Sequence, residues 1–145
     1  MKGYEKLDEY IDKNLNQSLD ELKTYVAQPS ISAQNLGLKE CAQMVKEMLE
    51  KRGFKAEINA TDGAPVVFGE IKGKSDKTLL IYNHYDVQPP EPLDLWESPP
   101  FEPQIRDGKM YGRGVSDDKG HLTSRLHAID AILAEEGELP CNIKF

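Results

Sequence analysis

The strongest constraint on the fold is an apolar run that ends abruptly in polar side chains. Residues 78–83 read Thr-Leu-Leu-Ile-Tyr-Asn, and His84, Tyr85 and Asp86 follow directly. Short apolar runs between turn residues are typical of buried strands, so we predict one here. Side chains alternate along a strand, which places His84 and Asp86 on the same face. An imidazole beside a carboxylate at a strand end can supply a metal ligand and the group that orients it.

Helical patterns come before this strand. Apolar residues at helical spacing predict a first helix over 3–15, and Ser18-Leu19-Asp20-Glu21 resembles a capping box that opens a second helix, ending near Ala27. A third helix is predicted over 38–49, with Gly53 at its C-terminal stop. Its apolar stripe consists of Leu38, Cys41, Ala42, Val45, Met48 and Leu49. Cys41 is therefore expected to be a packed core thiol.

Strands and a last helix complete the predicted elements. Strands are expected over 54–59 and 66–71, and Asp107-Gly108 is typical of a hairpin turn. A further helix begins near residue 118. Helices combined with strands in this way indicate an α/β domain.

A second polar motif stands just before the last helix, at Gly112-Arg113-Gly114-Val115-Ser116-Asp117-Asp118-Lys119-Gly120. Glycines permit a close approach of the backbone, and the aspartates can supply an acidic ligand. A dinucleotide-binding turn is excluded because Asp117 stands where the third glycine is needed, and a carboxylate would repel pyrophosphate.

The connection over residues 88–104 contains six prolines and shows no periodicity. An irregular connection of this length within a domain is usually functional. Proline limits the freedom of the unfolded chain, so the connection can be rigid. We expect Trp96 and Phe101 to anchor it to the body of the domain.

Composition narrows the classes of function. The net charge is −7 without a basic cluster, which argues against nucleic acid and anionic membrane as partners. The two cysteines, Cys41 and Cys141, form no C-x-x-C pair, so neither a disulfide framework nor a cysteine zinc site is indicated. A reducing cytoplasm is the expected location.

The segment NHYDVQPPEPLDLWESPPFEPQIRDGKMYGRGVSDDKG resembles the metal-site region of the co-catalytic zinc peptidases. This family groups carnosinase-like dipeptidases, aminoacylases, acetylornithine deacetylases and succinyl-diaminopimelate desuccinylases. The likeness runs without a gap from about Leu79 to Ile132, and Pro-Ser-Ile-Ser at 29–32 also fits. Pro92-Leu93-Asp94-Leu95-Trp96 is most similar to the dipeptidase branch. The resemblance implies part of a three-layer α/β sandwich, with helices packed on a mixed sheet.

The resemblance also implies roles for three side chains. His84 would ligate one zinc ion, and Asp86, the residue that the family treats as catalytic, would accept the other ring N–H. Asp117 meets the family pattern G-R-G-x-x-D-x-K-G and would bridge two zinc ions about 3.5–4 Å apart. Cobalt or manganese could substitute for zinc. The implied reaction is hydrolysis of an amide bond in a dipeptide or a small N-acyl amino acid.

Neighbouring residues receive plainer interpretations. Asp118 is expected to cap the last helix. His121 and His127 are expected to be surface histidines, and Lys119 has no predicted role beyond local packing. Glu135-Glu136 lies at a helix end and is not assigned as the family's general base.

The chain stops inside an apparent strand that begins near Asn142. We therefore expect residues 1–145 to be the N-terminal part of one catalytic domain, with the base and the remaining ligands beyond Phe145. Two protein ligands fall short of the three that catalytic zinc needs, so the chain alone is predicted to be inactive and to bind zinc weakly or not at all. Two alternatives stay open: a non-enzymatic binding module that keeps the fold, and a deacylase. A homodimer is one expected assembly of the parent protein, and open strand edges predict self-association of this chain.

Overall fold

A computed structural model describes residues 4–145 and contains three α-helices and six β-strands in that part of the chain. The helices are α1 (Glu5–Ala27), α2 (Leu38–Glu50) and α3 (Lys119–Glu136). The strands are β1 (Lys55–Asn59), β2 (Val66–Ile71), β3 (Thr78–Leu80), β4 (Gln104–Arg106), β5 (Lys109–Tyr111) and β6 (Asn142–Lys144). The predicted α/β class is confirmed.

Four of the strands form one mixed sheet in the order β1-β2-β6-β3. β1 and β2 are antiparallel, and so are β2 and β6, whereas β3 and β6 are parallel. The last strand of the chain thus lies inside the sheet, between two strands that precede it in sequence. The turn before β3 approaches β6 closely, because a Cβ on Gly73 would overlap the carbonyl group of Cys141.

The core lies between the helices and this sheet. All six residues of the predicted stripe on α2 are buried. Four of them, Cys41, Val45, Met48 and Leu49, form one core cluster with Tyr25 of α1, Leu126 of α3 and Ile143 of β6. Each large apolar side chain buried in this way contributes about 1.5–3 kcal/mol. Cys41 is fully buried, and burial raises the pKa of its thiol, as expected of a packed core cysteine.

The N-terminal region forms one helix where the sequence predicted two. α1 continues through Ser18, whose hydroxyl donates back to the carbonyl of Asn14 at 3.3 Å and does not cap a new helix. Serine makes this i−4 bond within helices when nothing interrupts them. Neither glycine nor proline occurs between Leu15 and Ser18, so the backbone ladder runs on.

The prediction of a buried strand over 78–83 is wrong in its length and in its burial. β3 pairs with β6 over Thr78–Leu80 alone and forms an edge of the sheet. Its apolar side chains face solvent, with Leu79 51% and Leu80 72% exposed. An apolar sequence cannot show whether neighbouring strands cover it, since burial depends on the rest of the sheet.

His127 is not a surface histidine. Its imidazole is 12% exposed and its Nε2 lies 2.6 Å from Oε2 of Glu21 on α1. Arg52, which follows α2, contacts the same carboxylate at 2.7 Å and Asp130 of α3 at 2.8 Å. This Arg52 cluster, made of Glu21, Arg52, His127 and Asp130, joins the three helices through charged groups.

The predicted hairpin and the two aromatic residues of the proline-rich connection follow the sequence prediction. β4 and β5 form the hairpin expected at Asp107-Gly108, with positive φ at both turn residues. Trp96 is partly buried; its Nε1–H donates to the carbonyl of Pro90 at 2.7 Å, and the Arg113 guanidinium lies over its ring. Phe101 is also partly buried. None of the helices within residues 4–145 has an apolar stretch long enough to cross a lipid bilayer.

Candidate metal centre

The segment that carries His84 continues from the end of β3 as an irregular stretch with one isolated β-bridge, between Val87 and Ile31. The Ile81 N–H donates to the carbonyl of Lys144 at 2.8 Å, and this is the last contact with β6. Further along, Ser30 fixes the segment twice. Its hydroxyl donates to the carbonyl of Tyr85 at 2.6 Å, and its own carbonyl accepts the Val87 N–H at 2.8 Å.

The loop that carries Asp117 depends on its glycines. Gly114 has φ +93°, and a Cβ there would stand 2.8 Å from Cγ1 of Val87. A Cβ on Gly120 would overlap the carbonyl oxygen of Val115. Both positions therefore need glycine, because larger residues would push the loop away from its neighbours. The peptide bond between Asp117 and Asp118 is cis.

Lys119 anchors this loop to α1. Its side chain is fully buried, and its Nζ donates to the carbonyls of Tyr25 at 3.0 Å and Gln28 at 2.5 Å. These carbonyls lie at the C-terminal end of α1, where backbone acceptors lack helical partners. The motif lysine thus has a definite structural role, which its position in the sequence did not reveal.

The imidazole of His84 lies between two carboxylates. Its Nε2 is 3.0 Å from Oδ1 of Asp117, and its Nδ1 is 3.1 Å from the backbone carbonyl oxygen and 3.2 Å from Oδ1 of Asp86. The other oxygen of Asp86 accepts the hydroxyl of Ser32 at 2.6 Å. The side chains of His84 and Asp86 are 37% and 38% exposed, whereas that of Asp117 is 80% exposed. The three groups predicted from sequence therefore meet at one accessible rim.

The electrostatics of this rim favour a cation. Partial burial alone lowers the pKa of His84, but the backbone of Asp86 and the carboxylates of Asp117 and Asp86 outweigh burial and raise it. The same negative field attracts a metal ion, which must displace the proton from the nitrogen that it binds.

Asp118 does not cap α3 with its side chain, contrary to prediction. It occupies the N-cap position, but its carboxylate turns away from the helix N–H groups. Oδ2 accepts the Asn83 side-chain N–H at 2.8 Å and the His84 backbone N–H at 3.1 Å, while Oδ1 lies 2.5 Å from Nδ1 of His121. Burial by itself raises the pKa of Asp118, but these donors reverse that effect and lower it. His121 is exposed, as predicted, although it has a carboxylate partner.

Sequence reasoning missed Ser32, Asn83 and the partners of Asp118. Ser32 lies in the Pro-Ser-Ile-Ser stretch, so a signal existed, but only the fold brings it to Asp86. Asn83 immediately precedes the histidine and gave no signal of its own.

The donor set fits part of a zinc centre. Imidazole nitrogen and carboxylate oxygen are both common zinc ligands, and Asp86 stands where an orienting carboxylate is expected. Within residues 4–145, however, no group of three histidine, cysteine, aspartate or glutamate side chains converges on one point. The residues present can hold two positions of a metal centre and do not complete it.

A largely apolar cleft of about 440 Å³ opens beside the rim. Val66, Val67 and Phe68 of β2 and residues 80–86 line this cleft. Phe145 also lines it and is paired with Gly69 through two backbone hydrogen bonds of 3.0 and 2.9 Å.

Known proteins resemble this chain in sequence and in structure. Residues 80–145 match the peptidase family M20/M25/M40. A succinyl-diaminopimelate desuccinylase from Bordetella avium is 34% identical over 116 residues, which is 80% of this chain and 30% of that protein.

Two solved structures share the fold. An M20-family metallo-carboxypeptidase from Sulfolobus solfataricus superimposes with a TM-score of 0.82 at 46% identity, covering 88% of this chain and 29% of that one. Human carnosine dipeptidase 1 superimposes with a TM-score of 0.88 at 30% identity, covering 99% and 34% respectively. The chain spans about a third of the length of these relatives, and its residues 80–145 belong to a peptidase M20/M25/M40 family domain.

Proposed function

We propose that this chain supplies part of the active site of a metal-dependent hydrolase that cleaves amide bonds. One observation carries the proposal: the His84 ring lies between Asp117 at Nε2 and Asp86 at Nδ1, at 3.0 and 3.2 Å. A ring held in this way can present one nitrogen to a metal while the other donates to a carboxylate. The match of residues 80–145 to the peptidase family supports the same interpretation.

Each residue has a distinct role in this proposal. His84 and Asp117 would hold the metal. Asp86 fixes the tautomer of His84 and is itself oriented by Ser32. When bound, paired divalent ions lower the pKa of a water molecule and polarise the scissile carbonyl. Zinc is the proposed ion, with cobalt or manganese as substitutes.

The proposed substrates are dipeptides or small N-acyl amino acids. Two relatives support a peptide substrate, since one is a carboxypeptidase and another a carnosine dipeptidase. The desuccinylase supports the alternative of an N-acyl substrate. A side-by-side assay of dipeptides and N-acyl amino acids distinguishes these classes. The assay needs a longer protein that contains this chain and has the full length of its relatives.

The proposal makes a direct prediction for the chain of 145 residues. Two ligands bind zinc weakly, so calorimetry should show no tight stoichiometric site and hydrolysis should be absent. Under NMR titration, zinc should perturb the ring signals of His84 before those of His121 and His127. Asp117→Asn should abolish this preference, because it removes one of the two donors.

The control variant is Asp20→Asn, which removes an exposed carboxylate on α1 and should leave the preference for His84 intact. Equal perturbation of the ring signals of all three histidines would contradict the proposal, and so would a titration in which zinc leaves the His84 signals unchanged. A tight site would contradict the two-ligand reasoning.

A rival function is a binding module without catalysis. It would keep the fold but show no hydrolysis of either substrate class in the longer protein with zinc, manganese or cobalt supplied. We also propose a cytoplasmic location, which the unpaired cysteines Cys41 and Cys141 support.

A further inference from the structure

We infer that Asp118 is a positioning residue that locks the His84 segment to the Asp117 loop. The inference rests on the proposed function of that pair and extends it to a residue with no assigned role. Asp118 immediately follows Asp117, and its side chain is 10% exposed while that of Asp117 is 80% exposed. One aspartate thus faces the rim and the other faces the protein.

The first step concerns what Asp118 holds. Its Oδ2 accepts two N–H groups, from the Asn83 side chain at 2.8 Å and from the His84 backbone at 3.1 Å. Both donors belong to the segment beyond Ile81, which has left the strand pairing with β6. Because the ring of His84 branches from that backbone, fixing its N–H restricts where Nε2 can lie.

The second step concerns what holds Asp118. Its Oδ1 lies 2.5 Å from Nδ1 of His121 in the first turn of α3. The two oxygens are therefore held from opposite sides, one by α3 and one by the His84 segment. A carboxylate with both oxygens bonded and little exposure has a restricted rotamer, so its backbone and that of Asp117 are restricted too.

The third step compares the strength of the His84–Asp117 contact with that of the hydrogen bonds to Asp118. The direct contact between His84 and Asp117 joins side chains 37% and 80% exposed, and such contacts contribute little. The bonds that Asp118 accepts from Asn83 and His84 are partly buried and are made to a carboxylate, which makes them stronger. The spacing of the two proposed ligands is therefore set by Asp118 more than by their own contact.

The primary test needs no metal. Asp118→Ala should shift the backbone amide and the ring signals of His84 in two-dimensional NMR spectra. Asp118→Asn keeps an acceptor oxygen and should produce a smaller shift in the same direction. This partial rescue separates loss of the hydrogen bonds from loss of the side chain's volume.

Asp130→Ala is the matched control. Asp130 also lies next to a histidine three residues away on α3, with Nδ1 of His127 at 3.4 Å, but it belongs to the Arg52 cluster. Its removal should destabilise the chain and leave the His84 signals unmoved. His84 signals in Asp118→Ala that match the unmodified protein would overturn the inference. If Asp118→Ala does not fold, unchanged His84 signals in Asp118→Asn would overturn it equally.

A zinc titration separates this inference from the proposed function. Loss of an orienting group around a metal ligand typically weakens metal affinity about 10- to 100-fold, and Asp118→Ala should weaken zinc binding at His84 within that range. If zinc does not bind at His84 in the unmodified protein while Asp118→Ala still shifts the His84 amide signal, the proposed function fails and the positioning role stands. Zinc binding at His84 with unshifted signals in Asp118→Ala gives the opposite result.

Discussion

Replacing Arg52 with methionine should destabilise the fold strongly and in a pH-dependent way. The Arg52 side chain is 3% exposed and donates to Glu21 at 2.7 Å, to Asp130 at 3.0 Å and to the carbonyl of Met48 at 2.9 Å. Removal leaves two poorly solvated carboxylates without their cation, which typically costs about 3–5 kcal/mol. That is a large share of the roughly 5–15 kcal/mol that holds a domain folded.

The pKa of Glu21 is lowered by the same cluster. Burial by itself raises the pKa of Glu21, but hydrogen bonds from His127 and Arg52 and their charges lower it from the usual 4.5 to about 2. This difference corresponds to about 3 kcal/mol of stability from the cluster. Because the pKa is depressed in the folded state, the contribution is complete above pH 4.5 and is lost as the pH falls towards 2.

Urea denaturation followed by circular dichroism measures both effects. The free energy of unfolding of Arg52→Met should lie about 3–5 kcal/mol below that of the unmodified chain at pH 7, and the gap should narrow steadily below pH 4.5. Arg106→Met is the control, because Arg106 pairs with the exposed Glu97 at 3.5 Å. A gap at pH 7 below about 1 kcal/mol, or one that widens in acid, would refute the reasoning.

Three further predictions concern the loop, its anchor and the open sheet edge. Gly120→Ala should lower the free energy of unfolding by about 1–3 kcal/mol in thermal denaturation, because the added Cβ would overlap the Val115 carbonyl. The control, Gly63→Ala, has room for a Cβ and should leave the stability nearly unchanged. Lys119→Met should lower it by about 2 kcal/mol or more in urea, since it leaves two carbonyls at the end of α1 without their donor; an unchanged midpoint would contradict this role. Light scattering should detect self-association of the chain, and Leu80→Lys should reduce it, because Leu80 is 72% exposed on an edge strand. A strictly monomeric unmodified chain would contradict this prediction.

Local patterns in the sequence were sufficient for several elements. The stripe on α2 was predicted residue by residue, because its apolar spacing fits a single helical face. The turn at Asp107-Gly108 was predicted because few residue pairs accept positive φ. By contrast, the helix start predicted from the capping box at Ser18 was wrong, since the same hydroxyl can form a hydrogen bond within a continuous helix.

Long-range partners account for the failures. His127 and Asp118 are polar residues with partners on other elements: Glu21 of α1 for the first, Asn83 and His84 for the second. Sequence spacing on their own helix could not identify these partners. β3 was misjudged for the same reason, because strand burial depends on which strands lie beside it.

The sequence by itself determined which chemical groups are available: an imidazole and a carboxylate two residues apart, and an aspartate between two glycines, 33 positions after the histidine. It also determined the helix faces and turns, since those depend on neighbours within a few residues. Only the tertiary structure decided that Nε2 of His84 and Oδ1 of Asp117 stand 3.0 Å apart, and that Asp118 braces the pair from the protein side. The physical reason is that insertion of β6 between β2 and β3, and the packing of α3 on α1, fix distances that no local preference can specify.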